Sequence, residues 1–169
     1  MANTYTLIAS STASGGSVAN IEFTSIPATY TDLLVLLSLR SARSNDEDGL
    51  FMGFNSNTSN YSWKALQGNG TAASSFSGTD RFAGQLTAAT TTSNTFTNTS
   101  IYIPNYAGSD YKSYSIDNVT ESNVTKAYAQ PIAGLWSNTS AITSIIFLSD
   151  SSNNLAQYSS AYLYGIKNS

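Results

Sequence analysis

Residues 32–40 read Asp32-Leu33-Leu34-Val35-Leu36-Leu37-Ser38-Leu39-Arg40, and this stretch decides the fold. Side chains on an extended chain alternate between two sides, so Leu33, Val35, Leu37 and Leu39 share one face and Leu34 and Leu36 the other. The apolar run covers seven residues, against the roughly 20 that a membrane helix requires. It is therefore a strand that is apolar on both faces, and such a strand belongs in the middle of a sheet with both faces covered. Residues 142–148 (ITSIIFL) form a second run of the same kind.

Outward from these two runs the period stays at two. Residues 21–24 (IEFT), 50–54, 61–66, 81–86, 96–103, 111–119 and 157–166 all alternate or form short apolar runs, with Asn, Ser, Gly and Asp between them. Pro104 ends its strand because proline has no N–H for a ladder. Residues 126–136 carry Ala127, Ala129, Ile132 and Ala133 at a spacing that suits a helical turn, but Pro131 and Gly134 break it, and the segment reads as strand. About ten short strands at roughly 8 to 12 residue spacing, with no amphipathic helix and no repeat, predict an all-β chain, a single jelly-roll-like antiparallel β-sandwich. Residues 45–49 (NDEDG) read as a turn, and residues 71–79 and 87–95 as Ser/Thr-rich loops. Residues 1–17 end in small residues with nothing to pack and read as an N-terminal arm and linker, leaving residues 18–169 as the sandwich domain.

A length of 169 residues suits one domain. Ser, Thr and Asn together supply 65 residues, whereas charged residues make up 10% of the chain, against about a quarter in an average protein. A net charge of -3 and a 41% hydrophobic content exclude disorder by self-repulsion. With no His and no Cys, the Ser-His-Asp and Cys-His nucleophile systems, thiolate or imidazole zinc sites and disulfides are impossible within this chain. Seven scattered basic residues give no patch for phosphates, so nucleic acid is not an expected partner, and no membrane association is expected either. The first residues lack the basic and apolar regions of a secretory signal, which predicts synthesis without Sec export. Seven Asn-x-Ser/Thr sequons, at Asn57, Asn60, Asn69, Asn98, Asn118, Asn123 and Asn138, exceed only slightly the four to five that this composition gives by chance, and no glycosylation is read from them.

Few residues stand out for chemistry. Asp46 and Asp48 in the acidic turn could offer oxygens to a calcium ion, but the loop lacks the spacing and the twelfth-position glutamate of an EF-hand. The plainer reading is an Asp-Gly turn with solvated carboxylates. Glu22, Asp32, Asp80, Asp117, Glu121 and Asp150 fall on separate strands or turns, and no motif nominates a pair for glycosidase chemistry. No catalytic residue and no cofactor are expected. Aromatic residues carry the remaining signal. Trp136 reads as core, while Trp63 and the stripe Tyr158, Tyr162 and Tyr164 suit either packing or a subunit interface, and Tyr5, Leu7 and Ile8 suit docking of the arm. A tyrosine stripe left wet would be adhesive, so another subunit or the facing sheet is expected to cover it.

Several segments stand in order along the chain: IEFTSIPATYTDLLVLLSLRS (21–41), NYSWKALQGNG (60–70), IYIPNY (101–106), YKSYSIDNVTE (111–121), AGLWSNTSAITSIIFL (133–148) and YSSAYLYGI (158–166). Together they resemble small β-sandwich virion structural proteins of tailed bacteriophages, of the kind found in marine and cyanobacterial phages. The resemblance lies in strand and turn pattern and carries over no catalytic position. It implies a non-enzymatic virion protein assembled in the bacterial cytoplasm. The expected role is that of a capsid decoration (cement) protein, with the major capsid protein or another virion protein as partner and a homo-oligomer, dimer or trimer, as its own state. The alternative is a tail-fibre or receptor-binding adhesin that grips a host glycan through loops 71–79 and 87–95.

Overall fold

The computed structural model describes residues 4–123 and 126–167. Among them are twelve strands and no helix: β1 (Tyr5–Thr12), β2 (Asn20–Phe23), β3 (Asp32–Leu39), β4 (Glu47–Phe54), β5 (Tyr61–Gly68), β6 (Ala73–Gly78), β7 (Phe82–Thr87), β8 (Thr97–Ile103), β9 (Lys112–Thr120), β10 (Tyr128–Trp136), β11 (Ile145–Ser149) and β12 (Ser160–Ile166). Eight form one sheet in the order β1-β12-β3-β8-β9-β10-β5-β6, and four form a second in the order β2-β11-β4-β7. Every pairing of named strands is antiparallel. The two sheets pack as an all-β sandwich, eight strands against four.

The two apolar runs take the central places their sequence demands. β3 lies between β12 and β8, and β11 between β2 and β4. Leu33, Val35, Leu37 and Leu39 point into the core and are buried, as are Ile145 and Phe147 of β11. Each such side chain stabilises the fold by about 1.5–3 kcal/mol through apolar area removed from water. At one end of the core Trp136 stacks on Tyr61 with ring centroids 6.3 Å apart, and Phe54 meets Trp136 at 5.5 Å and Tyr114 at 5.6 Å. Tyr114 reaches this cluster by lying across Gly134, where a Cβ would come within 2.0 Å of the ring.

Four sequence expectations are corrected. Residues 5–12 are strand β1, paired with β12 from Tyr5↔Ile166 to Thr12↔Ser160, and not part of a free arm. An edge strand is held by backbone hydrogen bonds, so it needs no apolar periodicity of its own; residues 1–3 lie outside the described residues. Within the supposed loop 71–79, Ala73–Gly78 is strand β6, registered on β5 from Trp63↔Gly78 to Gly68↔Ala73. All but its last residue are exposed, so no buried face marks it in the sequence. The acidic segment 45–49 is a turn only in part, because β4 begins at Glu47 and Asp48 is buried rather than solvated. Finally, β3 is covered on one face only: Leu36 is 38% exposed on the outer side of the large sheet. By contrast, residues 88–96 contain no strand and are pinned, since buried Arg40 donates to the carbonyls of Thr91, Thr92 and Thr95 at 3.2, 3.0 and 2.8 Å.

Candidate functional site

The outer face of the large sheet carries the candidate site, built by register alone. On β12, Ala161 and Leu163 turn inward and are fully buried, which turns Tyr162 and Tyr164 outward. Tyr164 pairs with Leu7 of β1 on one side and Leu34 of β3 on the other, and Leu34 pairs in turn with Tyr102 of β8. One row across four strands is therefore Leu7, Tyr164, Leu34 and Tyr102. The next row runs Ser10, Tyr162, Leu36 and Ser100, and the next Thr12, Ser160, Ser38 and Asn98. Between Leu36, Ser38, Asn98, Tyr162 and Tyr164 lies an open groove of about 480 Å³. The face is apolar at the Tyr164 end and neutral-polar at the Asn98 end.

Its exposure is substantial: Tyr5 55%, Leu7 52%, Tyr162 40% and Tyr102 39%. The facing sheet does not cover the tyrosine stripe, because it packs on the opposite side of β12. At one corner the Tyr102 hydroxyl donates to Asp32 Oδ2 at 2.8 Å, and Asp32 Oδ1 accepts from the Asn105 N–H at 2.9 Å. The hydrogen bond to Asp32, with burial and the carboxylate's charge, pushes the Tyr102 phenol up. The Asp32 carboxylate at this corner is thus buried and already bonded.

The residues nominated from sequence divide. Tyr5, Leu7, Tyr162 and Tyr164 meet on this face. Ile8 does not: the β1–β12 register shifts between Leu7 and Ala9, and Ile8 packs against the core. Tyr158 sits in the turn before β12 at φ 72°, 64% exposed and off the row. Trp63 lies at the far side of the sheet, packed on Phe82 with centroids 4.7 Å apart and donating from Nε1 to Asp80 at 2.7 Å. Leu34, Leu36 and Tyr102 were missed, although two of them stand in the stretch that reveals the fold.

Asp46 and Asp48 are engaged by separate partners. Asp46 and Glu47 pair with Lys126 at 3.3 and 3.1 Å. Asp48 instead accepts from the hydroxyls of Ser41 at 2.5 Å, Ser149 at 2.6 Å and Ser151 at 2.8 Å, and from the Gly49 N–H at 3.0 Å. Burial alone would raise its pKa, but the hydrogen bonds from Ser149, Ser41, Ser151 and Asp150 outweigh burial and hold it below the ordinary carboxylate value. Asp150 is pushed the other way, by burial and then by its hydrogen bond to the Asp48 carboxylate and that charge. The oxygens of Asp48 are thus already engaged in joining the β3–β4 turn to the β11–β12 turn. Among the described residues, no group of three or more Asp, Glu, His or Cys side chains converges where a metal could sit.

A second polar device, also unread in the sequence, joins the sheets. The Asn118 carboxamide of β9 accepts from the Gln85 N–H of β7 at 3.0 Å and donates to the Gln85 carbonyl at 3.1 Å and to Thr99 Oγ1 at 2.7 Å. Gln130 Oε1 of β10 shares the same N–H at 3.1 Å, and Thr97 Oγ1 of β8 accepts from the Thr87 N–H at 2.7 Å. Gly84, at φ +123°, makes room: a Cβ there would lie 2.4 Å from the Asn118 side chain.

No family model matches the chain, and no curated protein matches it significantly. Among the described residues, no helix is long and apolar enough to cross a membrane.

Proposed function

We propose that this protein is a non-enzymatic virion structural protein of a tailed phage. In this reading it is a head decoration protein that lays the outer face of β1, β12, β3 and β8 on the capsid shell and stabilises it. One observation carries the reading: a registered row of Leu7, Tyr164, Leu34 and Tyr102 crosses four strands, with Tyr162 and Leu36 in the next row, on a sheet face that nothing among the described residues covers. Monomeric proteins seldom leave a contiguous apolar face of this kind wet, and a partner surface supplies the missing cover. Ser38, Ser100 and Asn98 beside the rows offer neutral hydrogen bonds, so attachment would depend little on salt. The sequence resemblance supplies the setting, and the major capsid protein is the partner it implies.

The test is sedimentation of the purified protein with empty capsids. Wild type co-sediments at low and high salt, while Tyr164→Ala and Leu36→Asp lose most of the bound fraction and remain folded. A protein that ignores capsids but binds a host glycan overturns the assignment in favour of the adhesin. The adhesin reading draws less support from the fold, because one of its two loops is strand β6 and the other is held by Arg40.

A further inference from the structure

Four strands end the two sheets, and three of them are guarded. β1 carries an irregularity between Leu7 and Ala9. β2 is four residues long and carries Glu22. The backbone of β7 is met by Asn118, Gln130 and Thr97 from the other sheet. β6 has none of these devices. Its six residues, Ala73-Ser74-Ser75-Phe76-Ser77-Gly78, hold no charge and no proline, run in unbroken register on β5, and have no backbone partner on their outer edge among the described residues. Native sheets blunt such edges with charge, proline, bulges or brevity, because a bare edge is a template for another strand.

We propose that β6 pairs antiparallel with β6 of a second copy, joining two eight-stranded sheets across a two-fold axis. The absence of charge selects a second copy as the occupant. In a two-fold contact each group near the axis meets its own image, so any charge there would face a like charge, and residues 71–79 contain none. Lys64, on β5 opposite Ser77, would stand three strand spacings from its image, about 14 Å, beyond a screening length of about 8 Å. Asp80, just past the strand, is occupied by the Trp63 indole and the Phe82 N–H.

The register follows from Phe76. It shares a face with buried Ala65, its partner on β5, yet stays 47% exposed where the large sheet overhangs the small one. Centring the axis on Phe76 sets the two rings against each other, pairs Ser75 with Ser77 and Ser74 with Gly78, and keeps both small sheets on the same side. An aromatic cross-strand pair contributes beyond its buried area. This pairing deepens the assembly reading above but needs no capsid.

The chain has no cysteine, so Phe76→Cys introduces a single thiol. Directly opposed residues hold their Cβ atoms about 4.5–5.5 Å apart, and a small movement lets a disulfide form. Oxidation with diamide should trap the full-length Phe76→Cys protein as a covalent dimer, and should not trap Ser93→Cys, which is exposed in the loop before β8. Sedimentation equilibrium should show a wild-type dimer whose Kd rises about tenfold or more in Ser75→Lys, with an unchanged circular dichroism spectrum. A monomeric wild type, or a dimer that Ser75→Lys leaves intact and Phe76→Cys fails to trap, overturns the proposal. Because the isolated protein is measured, failure here leaves capsid attachment standing, and failure of capsid attachment leaves this pairing standing.

Discussion

Asn118 closes on the backbone of Gln85 as a strand would, accepting from its N–H at 3.0 Å and donating to its carbonyl at 3.1 Å. A fully buried side chain of the large sheet thereby replaces the neighbour that β7 lacks at the edge of the small one. The sandwich is held by more than apolar contact.

Asn118→Ala should destabilise the protein by about 1–3 kcal/mol, because the half-buried Gln85 carbonyl loses its side-chain donor and the buried Thr99 hydroxyl loses its partner. Urea denaturation of the two proteins measures the difference. A loss no larger than that of an exposed Asn, within about 0.5 kcal/mol, would show that water replaces the carboxamide.

Gly84→Ala strikes the same device from the other strand. It combines a strained φ with a Cβ 2.4 Å from Asn118, so a loss of about 2 kcal/mol or more is expected. In the Asn118→Ala background the added loss should shrink, and a double-mutant cycle reads that coupling.

Asp150→Asn should raise stability at neutral pH. The folded-state pKa of Asp150 lies above its ordinary value of 3.8, so the folded protein favours the protonated form and gives up stability as pH rises through that pKa. Asparagine mimics the protonated acid and can still donate to Asp48. The advantage should vanish below the ordinary carboxylate range, where Asp150 holds its proton in both states. Asp48 has the opposite sign: its contribution is present above the ordinary value and lost as pH falls through its lowered pKa. Thermal melts of wild type and Asp150→Asn from acid to neutral pH separate the two.

Deleting residues 1–12 removes strand β1 and uncovers the edge of β12. The truncated protein should lose several kcal/mol of stability and aggregate more readily, rather than shed a dispensable arm. Size-exclusion chromatography and a denaturant midpoint test this directly.

Tyr164→Ala should change stability by about 0.5 kcal/mol or less, since nothing among the described residues packs over its outer side, while sharply weakening capsid attachment. Equal losses in both measurements would make the residue a packing element and not a contact.

The sandwich was legible because burial writes a period into sequence. Leu33, Val35, Leu37 and Leu39 announce β3, and Ile145 with Phe147 announces β11. β1 and β6 were illegible for the converse reason: edge strands are fixed by a neighbour's backbone, and neither buries a continuous apolar face. The outer face was half legible. Leu34 and Leu36 were read correctly as a second apolar side, but alternation cannot say whether anything covers it. The Asp48 and Asn118 networks were hidden because their partners lie far along the chain: Ser149 is 101 residues from Asp48, and Gln85 is 33 from Asn118. Nothing in local pattern distinguishes such an Asp from a solvated one.

The pairing of Tyr5 with Ile166 also has a mechanical meaning. The first and last strands lie side by side and antiparallel, so residues 5 and 166 sit about 5 Å apart at one end of the molecule. Tension applied through both ends would not shear the sheet. It would open the β1–β12 ladder one bond at a time from that end, the weakest direction in which a sheet can be loaded. Force borne across the strands, through the broad outer face, would meet all eight at once.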